Sequence, residues 1–270
     1  MVFSMTNDIY SIDGRVRPRL RSVALTGLSV GVGLLPGADA PVCGPAPLQG
    51  APTASSAPTD SSAPRPPKAP LGRQTTTVGA SPRGLNVSAP GGATEVLLHT
   101  CCAPCSSAIV ECMVQHGIKP TIYYYNPNIY PREEYDIRKN ECSRYAKSLG
   151  LEIVDADYDH EKWLEEMKGL EQEPERGPRC LKCFKHRLLK TAEYAHDNGF
   201  TVITTTLASS RWKSLEQIEE AGLFAASQYP DVTFWAQNWR KGGLSERRIQ
   251  IIKEYGFYNQ QYCGCEFSMR

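Results

Sequence analysis

EVLLHTCCAPCSSAIV (residues 95–110) joins a short apolar run to three cysteines and then to an apolar pattern of different period. EVLLHT reads as a buried strand. Ile109, Val110 and Met113 recur at helical spacing, so 104–116 reads as a helix. The turn between them holds Cys101 and Cys102 side by side. Adjacent cysteines rarely reach the Cβ geometry of a disulfide without strain, so the pair asks for another role.

The same alternation continues outward. KPTIYYYN (119–126) is rich in β-branched and aromatic residues and predicts a strand. A long amphipathic helix follows over 131–150, opened by Pro131 and closed by Gly150. LEIVDADY (151–158) predicts a strand and EKWLEEMKGL a short helix. RCLKCFKHRLLKTAEYAHDNG (179–199) predicts a helix and FTVITTTL (200–207) a strand. SLEQIEEAGLFAASQY predicts a helix, VTFWAQ (232–237) a strand, and LSERRIQIIKEYG a closing helix. Strands joined through helices imply an α/β fold with a parallel sheet of about five strands, covered by helices on both faces. Ligands of such sheets bind beyond the carboxyl ends of the strands, where the strand order reverses. Cys101 and Cys102 stand at the end of the first strand, with a helix N-terminus favouring negative charge beside them. No glycine-rich phosphate loop occupies that turn.

The chain is uneven in composition. Residues 1–94 carry 13 of the 20 prolines and two aromatics, while 95–270 carry 22 aromatics and nine of the ten cysteines. The first segment holds eight basic and four acidic residues, leaving 22 basic and 25 acidic in the second. A mildly acidic domain is not the footprint of a general nucleic-acid binder, so any polynucleotide contact needs a local basic patch. APLQGAPTASSAPTDSSAPRPPKAPLG (46–72) has no period and too little apolar surface to offset chain entropy, which predicts a disordered extension over 1–94. Residues 15–40 imitate a secretory signal, but the basic part starts late and Gly and Pro interrupt the apolar part. An incorrectly assigned start codon accounts best for the abrupt change near Glu95, ahead of an appended tail and of secretion. No uninterrupted apolar run of about 18 residues occurs, so no membrane-spanning helix is expected.

Three cysteine groups stand out: Cys101, Cys102 and Cys105; Cys180 and Cys183; Cys263 and Cys265. Cys112 and Cys142 read as small core hydrophobes. A domain of 176 residues with ample apolar content needs no disulfide framework, so the groups point to metal or redox chemistry. RCLKC fits one knuckle of a zinc site and the unspaced CC fits the other badly. An iron–sulfur cluster tolerates adjacent thiolates because each iron takes one. Spacing leaves the two nearly even. CGC makes a short pair that is either a reducible disulfide or a further set of metal ligands.

LLHTCCAPC, YYYNPNIYPREEYDIR, DYDHEKWLEEMKGLEQEPERGPRCLKC, TTTLASSRWK and QYCGCEFSM, in that order, resemble the motifs of the cobalamin-independent epoxyqueuosine reductases, the QueH family. The resemblance covers about residues 95–270 and none of the extension. It implies a nucleotide-hydrolase-like, Rossmann-like layer and reduction of the epoxide of epoxyqueuosine to queuosine at the tRNA wobble position. It implies a 4Fe–4S cluster on Cys101, Cys102, Cys180 and Cys183, an adjacent iron, and a redox-active pair at Cys263 and Cys265. An external electron donor and a cytoplasmic location go with it.

Other residues carry weaker signals. Cys105 is a candidate second metal ligand, and Asp157 a candidate ligand or acid among Asp155, Asp157 and Asp159. A solvated strand end explains these acids better. His99 reads as a core histidine. Asn126 and Tyr130 lie on a loop suited to stacking a base. Arg211, Trp212 and Lys213 place a stacking ring beside cations, as an RNA loop requires. Capping and snorkelling explain them nearly as well. A tRNA thiolation or sulfur-transfer protein on a related fold is the alternative, but it wants a Ser-Gly-Gly loop where HTCCAPC stands.

Overall fold

A computed structural model describes residue 85 and residues 87–269. The expected disordered extension falls almost wholly outside them. Within them, β1 (Glu95–His99), β2 (Lys119–Tyr124), β3 (Ile153–Asp155), β4 (Val202–Thr205) and β5 (Thr233–Phe234) form one parallel sheet in the order β3-β2-β1-β4-β5. The expected α/β class and five-stranded parallel sheet are both present. The third strand is confined to Ile153–Asp155, shorter than LEIVDADY, and the fifth to two residues. The fourth stops at Thr205, whose hydroxyl accepts the Leu207 N–H and starts a 3-10 turn over Thr206–Ser209.

β1 is the central strand. Leu97 pairs with Thr121 on one side and Ile203 on the other, and Val96, Leu97 and Leu98 are fully buried. Burial on both faces is why the strand reads as an unbroken apolar run rather than an alternation.

The helices are α1 (Ala103–Gln115), α2 (Arg132–Ser148), α3 (His160–Met167), α4 (Pro178–Asp197), α5 (Leu215–Ser227) and α6 (Leu244–Tyr255). α1 packs on α2 and α6, whereas α4 packs on α5 and α3. From β1 the chain steps one way to β2 and β3 and then returns to β4 on the other side. Right-handed crossovers in opposite directions place α1 and α2 on one face of the sheet and α4 and α5 on the other. The order therefore reverses between β1 and β4, and a cleft opens above their carboxyl ends.

The packed structure begins ahead of Glu95. Val87 and Ala89 are buried in the core, and Leu85 packs against it beside Gly242.

Candidate active site

The turn after β1 is built by the sheet. The Thr100 N–H donates to Tyr123 O (2.9 Å), and the Cys101 N–H donates to Thr206 Oγ1 (3.2 Å) just past β4. Cys102 is the N-cap of α1, its carbonyl accepting from the N–H groups of Cys105 and Ser106 at 3.2 Å each. One turn of helix thus returns Cys105 to the adjacent pair. The sulfurs of Cys101, Cys102 and Cys105 all lie within 4.8 Å of one another, a group able to hold a metal.

The three thiols are electrostatically unequal. Hydrogen bonds with Cys102 and Cys105 hold the Cys101 pKa well below the ordinary thiol value. Burial, and then the bonds with Cys101 and Cys105, push Cys102 well up. Cys105, bonded to Cys101, is pushed up to about 11. Thr206 Oγ1 donates to Cys101 Sγ (3.5 Å), and Gln260 Nε2 donates to Cys102 Sγ (3.1 Å).

Cys180 and Cys183 occupy the first turns of α4. The Arg176 N–H donates to Cys180 Sγ at 3.3 Å. Cys183 is buried with Trp163, Met167 and Cys265 in a small apolar cluster, and burial pushes its thiol up to about 11. Two helix N-termini, those of α1 and α4, therefore carry thiols, and the positive end of a helix favours thiolate.

Cys263 and Cys265 are free thiols on the C-terminal segment. Arg138 of α2 holds this loop, donating to Cys263 O (3.1 Å) and Tyr262 O (3.2 Å) while paired to Glu134 at 2.7 Å. The Tyr130 N–H donates to Gly264 O (2.8 Å). Gly264 sits at φ +131°, and a Cβ there would meet Arg138 Nη1 and Ile129 at 3.1 Å, so any other residue is strained at this position. The two thiols face different surroundings. Cys265 is enclosed in the apolar cluster, and Cys263 receives a hydrogen bond from Lys213 Nζ at 3.3 Å. Burial opposes the charge on Lys213, but the thiols of Cys263, Cys101 and Cys105 outweigh it and raise its pKa.

A cavity of about 590 Å³ joins these parts, its wall including Cys101, Cys105, Cys180, Cys263, Lys213 and Trp212. Members of all three cysteine groups meet there. A neighbouring groove is lined by Arg176, Arg211, Lys213 and Arg240 against the single carboxylate of Glu216. This is the local basic patch that the acidic domain average conceals. Its loop is pinned from both sides: Arg176 donates to the carbonyls of Arg211 and Trp212, at 2.8 Å each, and Arg240 to Lys213 O at 2.8 Å. Trp212 itself is 66% exposed, with Arg211 over its ring.

Two candidates stand elsewhere. Asn126 is fully buried, its amide donating to Thr100 O (2.9 Å) and its Oδ1 accepting from Arg187. Both ends of the amide are spent, so Asn126 shapes the turn before Cys101 and offers nothing to a base. Asp157 lines a separate groove with Tyr123, Tyr194 and Glu193, away from the cysteines. Tyr130 is 42% exposed and stacks on His160. His99 is a core histidine as expected, within 2.8 Å of Thr205 Oγ1 and 3.2 Å of Tyr125 O. Sequence reasoning missed Arg138, Gln260 and Thr206; the first and last lie within quoted motifs, but nothing there marks them as partners of the cysteines. It did not foresee Lys213 as a partner of Cys263.

Comparison with known proteins gives the same direction. The family model described as Epoxyqueuosine reductase QueH matches residues 96–270. A Histophilus somni protein named Epoxyqueuosine reductase QueH is 52% identical over 181 residues, covering 67% of this chain and 74% of that one. The Acinetobacter baylyi protein of that name is 47% identical over 191 residues, covering 71% and 87%. The Thermotoga maritima one is 34% identical over 177 residues, covering 64% and 90%. With the motifs in order on a Rossmann-like sheet, and the cysteine groups gathered where its strand order reverses, the chain belongs to the QueH family of epoxyqueuosine reductases.

Proposed function

We propose that this chain reduces epoxyqueuosine to queuosine in tRNA, at the cavity walled by Cys101, Cys105, Cys180 and Cys263. The observation that carries this reading is the convergence of three cysteine groups, far apart in sequence, on one cavity of about 590 Å³. That volume falls in the range of small-molecule sites and admits a single extruded nucleoside.

Four thiols of the right chemistry for a 4Fe–4S cluster stand at Cys101, Cys102, Cys180 and Cys183, and the cavity wall shared by Cys101 and Cys180 supports assigning it to them. Cys101 and Cys102 stand at the start of α1 and Cys180 and Cys183 in the first two turns of α4, and together they would supply one sulfur per iron. Cys105 remains as a ligand for a second iron. Bound there, the metal centre supplies single electrons and polarises the epoxide oxygen.

The chain's own residues do the rest. Loss of the epoxide oxygen as water takes two electrons and two protons. Cys263 and Cys265 hold both as a dithiol and give them up on forming a disulfide, which an external donor then reduces. Lys213 fixes a positive charge at the cavity wall against Cys263 Sγ. Arg211 and Trp212 offer a cation and a stacking face to the tRNA at the cavity mouth. Such a substrate and donor imply a cytoplasmic location. Among the described residues no helix is long and apolar enough to cross a membrane.

The test uses the full chain, purified and reconstituted without oxygen, with dithionite and epoxyqueuosine-bearing tRNA. Nucleoside mass spectrometry should show loss of one oxygen, dependent on the metal centre. Unchanged epoxyqueuosine with a fully loaded centre would overturn the substrate assignment. Replacing Cys263 and Cys265 by serine should leave the cluster absorbance and stop multiple turnover. Undiminished turnover in that variant would remove the dithiol role.

A further inference from the structure

Arg187 lies on α4 and is 2% exposed, one of the largest fully buried side chains in the molecule. Its Nη2 donates to Asn126 Oδ1, a neutral acceptor, and its Nε has no partner. Among the described residues no carboxylate stands within ion-pair distance of it. Arg138, comparably buried, is paired to Glu134 at 2.7 Å. A buried guanidinium without a countercharge is expensive, and proteins seldom keep one without a use.

The surroundings of Arg187 point to that use. Cys180, Cys183 and Arg187 follow each other at intervals of three and four residues, so they share one face of α4. Through Asn126 the guanidinium is also tied to Thr100 O, the carbonyl directly ahead of Cys101. One buried cation therefore links the two cysteine pairs.

We propose that Arg187 is the built-in countercharge of the thiolate-held cluster, a positioning residue that raises its reduction potential. The inference rests on the cluster assignment above. Four thiolates and a cluster carry net negative charge, and each added electron increases it. A fixed cation in a low-dielectric site stabilises the reduced state more than the oxidised one. Lacking a carboxylate partner, Arg187 keeps its whole charge available for this.

The experiment is an EPR-monitored redox titration of the reconstituted full chain, with Arg187→Met and Arg187→Lys as variants. Arg187→Met keeps length and apolar bulk but removes the charge. Its midpoint should fall by about 59 mV, a tenfold change in the one-electron equilibrium constant. Arg187→Lys keeps the charge and should stay near the parent. Thermal unfolding of the metal-free proteins supplies a second reading with a sign of its own. Without the cluster, Arg187→Met should match or exceed the parent, because an unpaired buried charge has gone. With the cluster it should be the less stable. If Arg187→Met does not load, Asn126→Asp, which gives Arg187 a carboxylate, should lower the potential in the same direction. A midpoint unchanged in whichever charge-neutralising variant loads would overturn the proposal and leave the cluster standing. A parent chain that gives no cluster signal under reconstitution would overturn both.

Discussion

The turn after β1 and the C-terminal loop both deliver cysteines to one cavity, but they are held in different ways. Thr100 to Cys105 are placed by the sheet and by a helix start. Their bonds run to Tyr123 O, to Thr206 Oγ1 and within the first turn of α1. The loop from Phe257 to Met269 has no strand to align it. Side chains and backbone from distant segments tether it: Arg138, Glu141 to the Tyr258 N–H (2.7 Å), and the Tyr130 N–H to Gly264 O. One group is set by register, the other by guy-ropes anchored mostly on α2. Gln260 apart, whose amide bonds Cys102 Sγ, metal loading should therefore be insensitive to loss of the tethers that hold the loop, whereas thiol-pair chemistry should not.

The largest effect should come from Cys102→Ser. Cys102 is buried, occupies the N-cap position of α1, and its sulfur lies within 4.8 Å of those of Cys101 and Cys105. Iron content and absorbance near 400 nm should be lost along with turnover. Full loading in this variant would show that the β1 turn is not the metal platform.

Arg138→Met comes next. It cuts two tethers to the loop and strands the buried Glu134 carboxylate, at a cost of about 3–5 kcal/mol. Thermal unfolding should drop accordingly. The fraction still folded at low temperature should load metal normally and fail in multiple turnover. Equal loss of loading would erase the distinction between the two regions.

Acid should act on the sheet side. His99 in the folded chain takes up its proton only near pH 3, while the unfolded chain does so near 6.5. Between these values the unfolded state binds more protons, so stability falls as pH drops through 6.5. From pH 6.5 to 5 the loss is about 1.7 kcal/mol, the slope approaching 1.36 kcal/mol per unit only below pH 6. Urea unfolding at both pH values checks this, and His99→Gln should lack that component of the slope.

Gly264→Ala is the mildest and most local change. A Cβ at φ +131° against Arg138, Asn128 and Ile129 costs about 1–3 kcal/mol and displaces the CGC backbone. Turnover should slow with metal content unchanged. Alanine tolerated at full rate would mean that the loop need not hold its conformation.

Much of this architecture was legible in the chain. An unbroken apolar run announced a central strand, and glycines and prolines marked the helix ends at Gly150 and Pro131. The motif cysteines announced redox or metal chemistry because no other local structure wants CC, RCxxC and CGC together. The partners were not legible. Gln260, Thr206 and Arg138 meet cysteines 158, 105 and 125 residues away, and no local pattern records such a meeting. Asn126 and Asp157 misled for the same reason: a polar residue after a strand looks alike whether its amide is spent inside or its carboxylate faces another groove.

The sequence fixes period, punctuation and residue chemistry, since these act over one or two turns of chain. Folding settled which thiol stands beside Lys213, which lies enclosed with Trp163, and that Arg187 is buried against a neutral amide while Arg179 spends its guanidinium on backbone carbonyls. Those outcomes follow from crossovers that bring the ends of β1 and β4 and the starts of α1 and α4 together. Burial and charge are properties of that assembled neighbourhood, and no single segment carries them.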